Sequence, residues 1–85
     1  MKKLFIWTKF GCGDCVELKR MLSTAKIPFE ALESELYHGW EVAVKETGSR
    51  GVPQGEIEYE DGSVERVWDT ETLEELFEQI KEKMK

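Results

Sequence analysis

The sequence has no hydrophobic run of the length that a membrane span or a secretion signal requires. The apolar stretch after the N-terminal lysines, Leu4 to Trp7, contains four residues before Thr8 and Lys9 interrupt it. A signal peptide needs about 7–15 apolar residues, and a membrane-spanning helix needs about 20. We therefore expect no membrane association and predict a cytoplasmic protein.

Positive charge is also scarce. Lysine and arginine together number 12 against 18 aspartates and glutamates, which gives a net charge of -6. Proteins that hold nucleic acid through its phosphates need a basic surface. A nucleic-acid partner is therefore not expected.

Cysteine and histidine, the usual ligands of structural zinc sites, are few: the chain has Cys12, Cys15 and His38. A structural zinc site needs four ligands, so no metal site is predicted within one chain, and His38 is expected in a surface loop. Disulfides are rare in the cytoplasm, where a two-cysteine pattern more often serves catalysis or metal binding. Spacing alone leaves three interpretations of the pair open: a redox couple, half of a metal site or a small structural disulfide.

The length of 85 residues allows one hydrophobic core, so residues 1–85 are predicted to form a single domain. Hydrophobic periodicity predicts seven elements in the order β-α-β-α-β-β-α. In chain order they cover residues 2–7, 12–25, 29–32, 40–46, the two strands of a hairpin within 55–68, and a helix from about residue 70. A βαβ unit followed by a hairpin and a closing helix predicts an α/β fold, with a four-stranded mixed sheet and helices on both faces.

Local signals place several element ends. Gly48 is expected to end the second helix. The pair Asp61-Gly62 predicts a two-residue hairpin turn. Asp69 or Thr70 is expected to cap the N-terminus of the last helix.

Cys12 falls at the predicted opening of the first helix. Unpaired backbone N–H groups and the helix dipole favour an anion there, and Lys9 adds positive charge nearby. In C-x-x-C motifs the first cysteine has a pKa of roughly 3.5–7.5, against about 8.5 for free cysteine. Cys15 lies one turn further along the same face and is expected to be more buried. This predicts Cys12 as a nucleophile and Cys15 as the thiol that resolves a mixed disulfide.

The two residues between the cysteines tune this chemistry. Gly13 is conformationally permissive. The carboxylate of Asp14 disfavours a thiolate at Cys12 and would make the couple more reducing. Asp14 is equally explained as an acidic residue that interacts favourably with the helix dipole.

The segments "TKFGCGDC" and "TGSRGVPQ", together with the order of elements, resemble the glutaredoxin family of the thioredoxin-fold superfamily. The resemblance implies a cis peptide bond between Val52 and Pro53, close to the cysteines. It also implies that the Val52 backbone pairs with a bound thiol peptide. By the same resemblance, Lys9 and Arg50 would hold the glycyl carboxylate of glutathione, although Arg50 is equally explained as a solvated surface residue.

The sequence departs from the family pattern at two places. Gly13 and Asp14 replace the usual proline and aromatic residue, and Trp68 and Asp69 replace a Gly-Gly pair that lies beside the γ-glutamyl end of glutathione. Trp68, Asp69 and Thr70 are therefore the candidate contacts to that group, and a bulky indole with nearby acids should discourage it. Trp68 is equally explained by core packing. A tryptophan near this position resembles NrdH-redoxins, which thioredoxin reductase reduces.

The resemblance implies a dithiol oxidoreductase that reduces protein or glutathione mixed disulfides. It would hold no bound cofactor and would use glutathione as a co-substrate or thioredoxin reductase as the reductant. Disulfide-bearing proteins are the implied clients, ribonucleotide reductase among them, and a monomer is expected. The alternative is a redox-inactive thioredoxin-fold adaptor, or a module that binds a metal or an iron–sulfur cluster.

Overall fold

The computed structural model describes residues 2–68 and 70–85. The elements follow the predicted order: β1 Lys3–Thr8, α1 Gly13–Thr24, β2 Glu30–Glu33, α2 Gly39–Thr47, β3 Gln54–Glu58, β4 Val64–Val67 and α3 Leu73–Lys83. None of the described helices is both long enough and apolar enough to cross a membrane.

The four strands form one mixed sheet in the order β2-β1-β3-β4. β1 runs parallel to β2, and the intervening helix α1 supplies the long crossover connection that parallel strands need. β1 pairs antiparallel with β3, and β3 pairs antiparallel with β4 across the predicted hairpin. The predicted fold class is confirmed.

The main hydrophobic core lies between the sheet and the helices α1 and α3. Its buried members are Leu4, Ile6, Leu18, Leu22, Ile57, Val67, Leu76 and Ile80. Side chains alternate between the faces of a strand, so Trp7 points to the opposite face from Ile6. There the Trp7 ring packs against Trp40 of α2, with ring centroids 5.6 Å apart. Helices therefore cover both faces of the sheet, as predicted.

Gly48 ends α2 as expected. It has a φ of 80°, and its backbone N–H donates to the carbonyl oxygen of Val44 at 2.7 Å. The left-handed conformation favours glycine, because a side chain at this φ would be strained.

The predicted two-residue hairpin turn is wrong in length. The backbone N–H of Tyr59 donates to the carbonyl of Ser63 at 2.9 Å, which leaves residues 60–62 as a three-residue loop. Gly62 has a φ of 87°, and its N–H donates to the Tyr59 carbonyl at 2.9 Å. A turn followed by a left-handed glycine is the usual solution for a hairpin loop of this length.

The predicted cap of the last helix is also wrong for Thr70, and Asp69 lies outside the described residues. α3 begins at Leu73, and the hydroxyl of Thr72 accepts a hydrogen bond from the backbone N–H of Glu75 at 3.1 Å. The sequence carried this signal, since a threonine followed three residues later by glutamate is typical of a capping box.

Candidate active site

Cys12 occupies the N-cap position of α1, directly after the loop that leaves β1. Its backbone is extended, and its Sγ accepts a hydrogen bond from the backbone N–H of Cys15 at 3.2 Å. Ser, Thr, Asp and Asn usually supply this contact with an oxygen, whereas here a sulfur supplies it. The first cysteine therefore lies at the positive end of the helix dipole, as predicted.

The loop before β3 lies against this cysteine. The Val52-Pro53 peptide bond is cis, as the resemblance implied. The thiol of Cys12 donates to the backbone carbonyl oxygen of Val52, with an Sγ···O distance of 3.9 Å. Two segments that are 40 residues apart in the chain therefore meet at one sulfur atom.

Cys15 lies one helical turn after Cys12 and is buried, with 1% of its surface exposed. Burial, with a further contribution from the hydrogen bond to Cys12, raises the pKa of the Cys15 thiol to about 12. At neutral pH this thiol is therefore protonated. The two cysteines are unequal in access, since Cys12 is partly exposed.

This asymmetry predicts selective alkylation. Iodoacetamide at pH 7.5 should add one group per folded, reduced chain, at Cys12, because alkylation requires an accessible thiolate. Intact-mass measurement should show a second group only after unfolding in guanidinium chloride. The matched control is Cys12→Ser, which should take up no group while folded. Alkylation of Cys15 in the folded protein would contradict the burial and the raised pKa of its thiol.

Two grooves flank Val52. The first, the acidic groove, has a volume of about 420 Å³ and is lined by Asp14, Ser49, Gly51, Val52, Pro53, Gln54, Thr70, Glu71, Thr72, Leu73 and Leu76. The second, the mixed groove, has a volume of about 540 Å³ and is lined by Lys9, Ser34, Glu35, Leu36, Tyr37, His38, Trp40, Glu41, Arg50 and Val52. Both grooves therefore border Val52, whose carbonyl oxygen contacts the Cys12 sulfur.

The predicted basic contacts both line the mixed groove. Arg50 is paired there with Glu41, with Nη2···Oε2 and Nη1···Oε1 distances of 2.8 and 3.3 Å. Both side chains are exposed, and an exposed pair of this kind contributes only about 0–1 kcal/mol. A carboxylate on a ligand can therefore compete with Glu41 for Arg50.

The structure separates the predicted γ-glutamyl contacts. Thr70 lines the acidic groove, whereas the ring of Trp68 packs against Trp40 with centroids 5.2 Å apart. Trp68 is not among the described residues that line either groove, and Asp69 lies outside the described residues. For these residues, a role in ligand contact stays a prediction.

Gly13 and Asp14 form the start of α1. A Cβ atom at Gly13 would meet nothing within 4 Å, so the site does not need glycine there for space. Asp14 is in the first helical turn and lines the acidic groove, so both of its predicted explanations are compatible with its position.

Several groove residues were not predicted from the sequence. Gln54 and Thr72 line the acidic groove, and Leu36 and Tyr37 line the mixed groove. The position of Gln54 directly after the Val52-Pro53 pair was a usable signal. Within residues 2–68 and 70–85, no group of three His, Cys, Asp or Glu side chains is placed to hold a metal ion.

A cysteine pair at a strand–helix junction, facing a cis Val-Pro bond on a mixed sheet, defines a protein of the thioredoxin-fold class. The glutaredoxin family model matches residues 4–58, and the chain belongs to the glutaredoxin family, whose members are thiol oxidoreductase-like. The match covers both cysteines and Val52-Pro53 and ends before β4.

Solved structures support the fold. A buckwheat glutaredoxin solved in complex with glutathione is 16% identical, with a TM-score of 0.62, over 98% of this chain and 72% of that one. A mutant of the thioredoxin-like protein BC3987 is 20% identical, with a TM-score of 0.56, over 87% of this chain and 97% of that one. No functionally curated protein matches the chain.

Proposed function

We propose that this protein is a dithiol oxidoreductase that reduces disulfides in other molecules. The observation that carries the proposal is the contrast between a partly exposed Cys12 sulfur at a helix N-terminus and a buried, protonated Cys15 thiol one turn away. Membership of the glutaredoxin family supports it. The protein would act as a cytoplasmic monomer without a bound cofactor.

The proposed reaction has two thiol–disulfide exchanges. The Cys12 thiolate attacks one sulfur of a substrate disulfide, a mixed disulfide forms, and the other substrate sulfur leaves as a thiolate. The N–H of Cys15, 3.2 Å from the Cys12 sulfur, stabilises negative charge on it before attack. Cys15 then loses its proton and attacks the Cys12 sulfur, which releases the second substrate thiolate and leaves a Cys12–Cys15 disulfide. The substrate gains two electrons, which the cysteine pair loses.

An external dithiol or two glutathione molecules must restore the reduced pair. Glutathione as co-substrate is supported by the likeness to a buckwheat glutaredoxin solved with glutathione and by the position of Lys9 and Arg50 in the mixed groove. A thioredoxin reductase is the other proposed reductant. Protein disulfides are the proposed clients, with ribonucleotide reductase among them through the family resemblance.

Equilibration in defined glutathione buffers tests the function. Acid trapping and mass measurement should show conversion of the dithiol to an intramolecular disulfide. A potential of about -200 to -230 mV, with a glutathionylated species, would indicate glutathione as reductant, whereas about -270 mV without that species would indicate a reductase. A pair that stays reduced throughout would contradict the proposal and favour an adaptor.

A further inference from the structure

The acidic groove beside Cys12 carries uncompensated negative charge. Asp14 and Glu71 both line it, and no lysine or arginine is among its described lining residues. Within the part of the chain that the structure describes, neither carboxylate forms an ion pair. Elsewhere on the surface the acids are commonly neutralised, as Glu41 is by Arg50 and Glu46 is by Arg66.

Gln54 adds a neutral polar group to the same groove. Gln54 is only 7% exposed and lines the groove. Its side-chain amide forms no hydrogen bond with any of the described residues. The amide nitrogen lies 3.7 Å from the point that a Cβ of Gly51 would occupy, so the amide is directed at the loop that forms the groove wall. Buried polar side chains are normally hydrogen-bonded, so this amide is free to bond a polar group that enters the groove.

The N-terminus of α3 also borders this groove and by itself would favour an anion. The dipole is equivalent to about half a positive charge. Glu71 precedes the Thr72 cap and lines the groove, so a full negative charge within the groove already opposes that half charge. The hydroxyl of Thr72 also accepts the hydrogen bond of the Glu75 N–H, which is therefore not available to an anion. The groove is therefore suited to a cation.

The position of the groove identifies which part of a substrate would enter it. Val52 lines the groove, and its carbonyl oxygen is 3.9 Å from the Cys12 sulfur. A group in the groove must therefore be close to the substrate sulfur that Cys12 attacks. In a polypeptide, that group is the side chain of a residue next to the reactive cysteine.

We infer that the acidic groove binds a lysine or arginine side chain next to the reactive cysteine of a polypeptide client. Asp14 and Glu71 supply the charge, and the Gln54 carbonyl is available to accept a hydrogen bond. The contact selects basic polypeptide segments over disulfides that carry negative charge at the same place. This inference rests on the proposed function and names its substrate class.

The test compares three short peptides, identical except that the residues on both sides of a single cysteine are lysine, alanine or glutamate. Each cysteine is linked by a disulfide to 2-mercaptoethanol, and the second-order rate constant for oxidation of the reduced protein is measured. We expect the lysine peptide to react at least about fivefold faster than the alanine peptide, and the glutamate peptide to react more slowly. Added salt should reduce this preference.

Two variants and a matched control test whether the preference for the lysine peptide arises in the acidic groove. Asp14→Asn and Glu71→Gln should each lower the ratio of lysine-peptide to alanine-peptide rates by about two- to fivefold. The ratio is the readout because Asp14→Asn also changes the general reactivity of the neighbouring cysteine. Glu74→Gln removes the same charge from the same end of α3 but lies outside the lining of the groove, so it should leave the ratio within about twofold.

The outcomes separate this inference from the proposed function. Failure to reduce even the alanine peptide would overturn the proposed function. Reduction of all three peptides at equal rates would leave that function standing and overturn the groove assignment. A lysine preference that persists in both Asp14→Asn and Glu71→Gln would overturn the assignment as well.

Discussion

Replacement of Cys12 by serine is expected to lower the rate of disulfide reduction by at least about 1,000-fold. The thiolate is the attacking nucleophile, and a serine hydroxyl remains protonated and does not exchange with disulfides. The measurement is the steady-state reduction of the alanine peptide disulfide with excess reductant. Appreciable turnover by Cys12→Ser would contradict the assignment of Cys12 as the nucleophile.

The fold should survive this substitution, so the loss can be assigned to chemistry. Serine is a preferred N-cap residue, and its hydroxyl can accept the N–H of Cys15 that the sulfur now accepts. The thermal unfolding midpoint should be unchanged or slightly higher. Cys15→Ser is the matched variant: its Cys12 should still attack the substrate disulfide, but the mixed disulfide should accumulate because no second thiol resolves it.

Leu18→Ala is expected to cause the largest loss of stability, about 2–5 kcal/mol in the free energy of unfolding. Leu18 has no exposed surface and belongs to the core between α1 and the sheet. Truncation removes apolar contact and leaves a cavity, and a domain of this size has only about 5–15 kcal/mol in total. Urea unfolding followed by circular dichroism measures the change.

A control on the same helix distinguishes burial from helix propensity. Val16 is 65% exposed, so Val16→Ala should change the free energy of unfolding by no more than about 0.5 kcal/mol. Alanine raises helix propensity more when it replaces the β-branched Val16 than when it replaces Leu18, so propensity alone would favour the Val16→Ala variant. Equal effects of the two substitutions would contradict the placement of Leu18 in the core.

The order of elements was predictable because each one carries its own periodicity. The apolar stripe of α1 and the Asp61-Gly62 signal in the hairpin both lie within short segments of chain, where pattern reflects local structure. The two errors have the same cause. At the start of α3 and in the hairpin loop, the predicted and observed positions differ by one to three residues, and hydrogen bonds of the folded chain decide between such close alternatives.

The candidate site was predictable in part. The position of Cys12 at the start of α1 follows from strand, loop and helix patterns that adjoin it in the sequence. The approach of Val52 was implied only by the family resemblance, because no local pattern brings together residues 40 positions apart. The packing of Trp68 against Trp40 was not predictable, because a large aromatic residue suits both a packed core and the lining of a groove.

The sequence by itself determined the seven elements and the cap position of Cys12, since these depend on interactions over a few residues. Only the tertiary structure decided which distant side chains share a groove. Asp14 comes from α1, Gln54 from β3 and Glu71 from the loop before α3. They meet because β3 lies beside β1 in the sheet and α3 packs on the same face as α1, and non-local packing of this kind leaves no local periodicity.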